Sequence, residues 1–156
     1  MFQHIANLEW ADLMDIAHIE SRLFEKPTDL QKLRMLFEKK AFRGFGLSAD
    51  WNGASAIAAY AIFLSAGQSA DLVTIGTKTA LQRKGFAHAV LNHGMTTLAS
   101  EGVQELFLEV AEDNIAAISL YVALGFKAAT KRTGYYLSDH GPTDAVLMGC
   151  SLKAVP

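Results

Sequence analysis

Between residues 70 and 110 a strand-like apolar run, a glycine-bearing turn, a helical pattern and a second strand-like run follow one another. Strand, helix and strand in that order join one sheet as a parallel crossover, nearly always right-handed, so this segment confines the chain to an α/β architecture. The flanking sequence extends it. A short strand near 2–6 precedes a helix over about 9–23, in which Leu13, Ile16, Ala17, Leu23 and Phe24 recur at helical spacing. Pro27 stops that helix, and Thr28 with Gln31 has the form of a capping box opening a second, with Leu30, Leu33, Leu36 and Phe37 as its buried stripe. Strands are predicted over 42–48, 54–64 and 70–77, the first two joined by a hairpin turn at Asn52-Gly53. Alanines are weak strand formers, so a helix is the alternative over 54–64. Beyond the turn at Gly85 a helix runs to near Gly102, a strand covers 106–110, and a helix over 114–124 stops at Gly125. Two strands, 127–136 and 145–152, close the chain. The order β-α-α-β-β-β-α-β-α-β-β predicts a mixed sheet with helices on both faces.

Composition narrows the function. The chain has 156 residues, the length of one domain at ~100–200 residues per domain. At 51% hydrophobic and 19% charged it can bury a sizeable core and is not disordered. A formal charge of −2 offers no basic excess for nucleic acid, and Lys39, Lys40 and Arg43 are too small a cluster to change that. The longest apolar run, Ala56 to Leu64, is nine residues, short of the ~20 that span a bilayer. Glu9 and Asp12 break up the N-terminus before any secretory signal could form. These features lead us to expect a cytoplasmic location. The one cysteine, Cys150, excludes an intramolecular disulfide and a cysteine-based zinc cluster, and is expected to be a small buried filler. His88 and His93, five apart, point about 140° away from each other on a helix and form no metal pair. No metal is expected.

Three places could carry chemistry. In Gln82-Arg83-Lys84-Gly85-Phe86-Ala87 a glycine at a helix start lets backbone N–H groups approach an anion, with Arg83 and Lys84 adding charge. A plain structural turn is the alternative, and the spacing fits neither a Walker A loop nor a dinucleotide fingerprint. Glu109 is the one ionisable residue in Leu106-Phe107-Leu108-Glu109-Val110, and alternation puts it on the face with Phe107. It is either a solvent-facing carboxylate or a general base whose pKa partial burial raises. Tyr121 lies twelve residues on, in a helix that Asn114 would cap. There it is either an amphipathic core residue or a phenol that serves the reaction.

Together these segments resemble the GNAT N-acetyltransferases. Residues 82–87 look like that family's Q/R-x-x-G-x-G/A acetyl-coenzyme A loop. Leu108-Glu109-Val110, Asn114, Ala116-Ala117, Leu120-Tyr121 and Leu124-Gly125-Phe126 are similar to its RimI-type subgroup, the ribosomal-protein-alanine N-acetyltransferases. Thr130-Lys131-Arg132, Tyr135-Tyr136 and Asp144-Ala145 continue the likeness, which is strong over about 70–152 and thin before it, chiefly His18-Ile19-Glu20. The resemblance implies a GNAT fold, a mostly antiparallel sheet of six or seven strands. It implies that Ile75, Gly76 and Thr77 pair with the pantetheine arm and that an amide of that edge faces the thioester oxygen. Gln82, Arg83, Lys84, Gly85, Phe86, Ala87 and His88 would cradle the pyrophosphate, and Asn114 would also touch acetyl-CoA. Glu109 would accept a proton from the acceptor amine and Tyr121 would return one to the departing thiolate, while Tyr135 and Tyr136 would contact the acceptor backbone. Lys78-Thr79 replaces the usual acidic residue and proline after the cofactor strand. Gly76 and Thr77 replace bulkier apolar residues, which is expected to loosen the strand edge. The expected reaction is acetyl transfer to a protein N-terminal amine, and the resemblance implies a ribosomal protein as the acceptor. The alternatives are a small-molecule amine or lysine side chain, and a non-catalytic acetyl-CoA-binding regulator.

Overall fold

The computed structural model describes residues 3–51, 53–129 and 145–152. Expectations for Phe2, Asn52, the 130–136 part of the penultimate strand, and Tyr135 and Tyr136 lie outside them. Eleven helices and strands are described. They are β1 (Gln3–Asn7), α1 (Leu13–Leu23), α2 (Leu30–Phe37), β2 (Phe42–Trp51), β3 (Ala54–Ala66), β4 (Ser69–Thr77), α3 (Phe86–Ser100), β5 (Glu105–Ala111), α4 (Ile115–Ala123), β6 (Lys127–Ala128) and β7 (Ala145–Ser151). The strands form one sheet in the order β1-β2-β3-β4-β5-β7-β6. Every pairing is antiparallel except β4 with β5, the crossover through α3.

Both faces of the sheet are covered, because β3 is apolar on both sides. Ala59, Ala61 and Phe63 enter one core with α3, Leu106, Leu108 and Tyr121. Tyr60 and Ile62 enter the other with Leu13, Ile16, Ile19 and Leu33 of α1 and α2. A strand buried on both faces needs no polar alternation, which is why 54–64 reads as a continuous apolar run and why burial overrides the weak strand propensity of alanine.

Three local expectations are corrected. The first helix begins as a 3-10 turn, Trp10–Asp12, and becomes α-helical only at Leu13. Phe24 is not part of its buried stripe: it is the extended residue just past α1 and is 40% exposed. Thr28 does not cap α2. Asp29 does, accepting from the Lys32 N–H at 2.9 Å, since the helix starts at Leu30 and the cap must immediately precede it.

Gly76 does not loosen its strand. It pairs with Tyr60 across the β3–β4 ladder, and a Cβ there would lie 2.6 Å from the Tyr60 hydroxyl. The glycine is small because the tyrosine opposite is large. Trp10 packs edge-on against Phe37 at 5.7 Å with the Arg34 guanidinium 5.2 Å over its ring, yet stays 45% exposed. Cys150 is only half-buried, and that burial pushes its thiol pKa up.

Candidate active site

The site begins where β4 and β5 stop pairing. Their parallel ladder joins Ser69, Ala70 and Asp71 to Glu105, Leu106 and Phe107 and goes no further, although both strands continue. At the same place the β3–β4 register shifts: Ile62 pairs with Thr74 and Phe63 with Leu72, leaving Val73 as an extra residue. Such a bulge bends its strand, so β4 turns away from β5. The gap is a cleft of about 240 Å³, walled by Leu72 to Ile75 of β4, Leu108 to Ala111 of β5, Phe24, Asn114, Ala117 and Tyr121.

Glu109, Tyr121, Asn114 and Ile75 therefore share one cleft. On β5, Leu106, Leu108 and Val110 are buried while Glu109 is exposed on the opposite face, as alternation requires. Of the two surroundings open to Glu109, the solvent-facing one is found and partial burial is not. Helices α1 and α2 pack over the β2–β4 part of that face, and the carboxylate on β5 stands open to the cleft and to water. Tyr121 is the reverse, 6% exposed and packed 5.7 Å from Phe126. Desolvation of the phenolate pushes its pKa up to about 12, so it holds its proton at neutral pH. Asn114 caps α4 by accepting from the Ala117 N–H at 3.2 Å, which fixes the helix that carries Tyr121.

The glycine turn is built as an anion cradle requires. Gly85 precedes α3 with φ +81°, the left-handed region that glycine adopts freely, and Arg83 also has positive φ at 64°. The first helical bond of α3 runs from Ala89 N–H to Gly85 O at 3.0 Å, so the amides of Phe86, Ala87 and His88 come before the ladder begins. No acid lies in that first turn, and Arg83, Lys84 and His88 are exposed. A Cβ at Gly85 would meet nothing within 4 Å, so the approach to these amides is open. The donor set fits a pyrophosphate. The Phe86 side chain is buried in the core beside α3, so only its backbone is placed to face an anion. Gln82 braces the turn by donating from Nε2 to the Thr77 carbonyl at 3.3 Å.

The sequence reading missed a buried carboxylate. Glu20 on α1 is 1% exposed and accepts the Thr28 N–H at 3.0 Å, the Thr74 hydroxyl at 2.6 Å and the Tyr60 hydroxyl. Burial and the neighbouring Glu20 charge push the Tyr60 phenol far up. Two signals were available. Glu20 sits four residues after Ile16, inside the apolar stripe, and Tyr60 is the one hydroxyl within Ala56 to Leu64, where it must find an acceptor. Among the described residues no group of three or more His, Cys, Asp and Glu is placed to hold a metal, and no helix is long and apolar enough to cross a membrane.

A sheet opened at a parallel pair, an anion cradle after the first of those strands, and a carboxylate and tyrosine in the gap define an acyltransferase architecture. Residues 6–126 match the acetyltransferase (GNAT) family, and the chain belongs to it, as an acetyl-CoA-dependent N-acetyltransferase of the RimI type. It is 37% identical over 149 residues to the [ribosomal protein bS18]-alanine N-acetyltransferase of Escherichia coli (strain K12), covering 96% of this chain and 97% of the relative. The crystal structure of the E. coli ribosomal-protein-S18-alanine N-acetyltransferase superposes with a TM-score of 0.82 at 34% identity, over 99% of this chain and 97% of that one. Arabidopsis thaliana NAA60 in complex with acetyl-CoA shares the fold, with a TM-score of 0.80 at 16% identity over 97% and 99% of the two chains.

Proposed function

We propose that residues 1–156 act as one domain that acetylates the N-terminal α-amine of a protein, with Glu109 as base and Tyr121 as acid. The observation that carries this reading is the meeting of Glu109, Tyr121 and Asn114 in the gap between β4 and β5. Acetyl-CoA supplies an activated acetyl thioester. Arg83, Lys84, Gly85 and the amides of Phe86, Ala87 and His88 would hold its pyrophosphate, and Ile75, Gly76 and Thr77 would line its pantetheine arm. An α-ammonium, with an unperturbed pKa of ~8, must lose a proton before its nitrogen can attack. Glu109, open to water, accepts that proton directly or through one water. Tyr121 carries a proton at neutral pH and faces the same gap, so it can hydrogen-bond to and protonate the departing sulfur. An amide of the β4 edge would meet the negative charge that develops on the carbonyl oxygen. Tyr135 and Tyr136 would contact the acceptor backbone, a role that rests on the family resemblance.

The named relative acts on alanine of ribosomal protein bS18. We infer a similar acceptor here, a free protein N-terminus that begins with a small residue, and with it the cytoplasmic location of ribosomal-protein synthesis. The test is acetyl transfer from acetyl-CoA to a mixture of free-N-terminus peptides, N-blocked lysine peptides and small polyamines, read by mass spectrometry. Acetylation confined to free N-termini supports the reading. Labelling of lysines or polyamines alone replaces it with the corresponding acceptor class.

A further inference from the structure

Glu20 is a buried carboxylate held by hydrogen bonds from three parts of the chain. Its Oε1 accepts the Thr28 N–H in the connection between α1 and α2, and its Oε2 accepts hydroxyls from Tyr60 on β3 and Thr74 on β4. Among the described residues no Lys, Arg or His forms an ion pair with it. A buried charge without a cation is expensive, and a well-packed apolar group of the same volume usually serves stability as well. What such a group could not do is join these particular backbones. Thr74 lines the cleft, next to Ile75, and so does Phe24, four residues before Thr28. One carboxylate thus ties the α1–α2 connection to the bulged part of β4.

We propose that Glu20 is a positioning residue for the acceptor: it pins the α1–α2 connection against β4 and so fixes the wall of the cleft that the acceptor must pass to reach Glu109. This rests on the acetyltransferase reading of the cleft and goes beyond it. Neither Glu20 nor its three donors lies in the 82–88 cradle or among Ile75, Gly76 and Thr77, so loosening the pin falls first on the acceptor and leaves the hold on the pyrophosphate of acetyl-CoA in place.

Two variants test it. Glu20→Gln leaves one oxygen for three donors. The triple variant Glu20→Leu/Tyr60→Phe/Thr74→Val removes the carboxylate with both hydroxyls, keeps the volume, and leaves the Thr28 N–H without its acceptor. In both, hydrogen exchange at Thr28 should quicken at least about tenfold while α1, β3 and β4 keep their protection. The KM for the acceptor that wild-type protein acetylates should rise about tenfold, with the KM for acetyl-CoA within about twofold and kcat at saturating acceptor within about threefold. An equal rise in both KM values, or loss of protection throughout the sheet, would make Glu20 a stability residue and overturn the proposal. So would unchanged protection at Thr28. Wild-type protein that acetylates no free N-terminus would instead overturn the acceptor assignment, and the exchange pattern alone would then decide the pin.

Discussion

Glu20 and Glu109 are carboxylates on two walls of one cleft, in surroundings that differ in every respect. Glu20 is sealed between α1, β3 and β4 with three donors on its oxygens, whereas Glu109 stands exposed on β5, beyond the end of the β4–β5 ladder. A buried carboxylate with three of its roughly four acceptor sites filled by the protein is closed to a substrate, and the work proposed for it is geometric. An open carboxylate contributes little to the fold but can exchange protons with a bound amine. The same functional group becomes scaffold or reagent according to how much of its coordination the protein has already filled.

The comparison breaks most sharply at Glu109. Glu109→Gln should lower kcat by about 10²–10³-fold, the usual worth of a positioned base, while acetyl-CoA affinity stays within about twofold and stability within about 0.5 kcal/mol. Steady-state kinetics, calorimetric titration and melting read the three quantities, and an equal loss of rate and cofactor affinity would make Glu109 structural.

The next effect concerns Tyr121, the phenol that shares the cleft with Glu109. An unfolded tyrosine ionises near pH 10, while Tyr121 in the fold keeps its proton until about 12. Its contribution is complete below pH 10 and is lost as the pH rises through 12, on the order of 2–3 kcal/mol over that window. Denaturant midpoints measured from pH 9 to 12 should fall steeply for the wild type and less steeply for Tyr121→Phe. Identical slopes would show that Tyr121 is not desolvated.

Gly76→Ala sharpens the reading of the buried network. Its Cβ would press on the Tyr60 hydroxyl and ring, at a cost of about 2 kcal/mol. The cost should shrink in a Tyr60→Phe background, where the nearest atom is gone; strict additivity of the two changes would place the strain elsewhere. The smallest effect is at Asn114. Removing its cap with Asn114→Ala should cost about 1 kcal/mol and lower Tm by about 2–4 °C.

Much of the wall that carries Glu109 was legible because its signals are local. The left-handed glycine at 85, the alternation around Glu109 and the cap at Asn114 are each decided by a few adjacent residues. The opposite wall was not, because its partners lie far apart in sequence: Glu20 meets Tyr60 forty residues on and Thr74 fifty-four residues on. A glycine at 76 looked like a weakness only because its partner in β3 was unknown. The bulge at Val73, which opens the cleft, left no mark in Leu72-Val73-Thr74-Ile75, since a bulge is a property of two strands and not of one.

The short seam between β4 and β5 has a mechanical side. Three parallel rungs join the four strands on one side of the sheet to the three on the other, with α3 as the covalent strap between them. Load carried across the sheet concentrates at that seam. A molecule that runs its own amides along the free edge of β4 would splice the gap and stiffen the whole sheet, so the enzyme between turnovers should be more compliant than the enzyme at work.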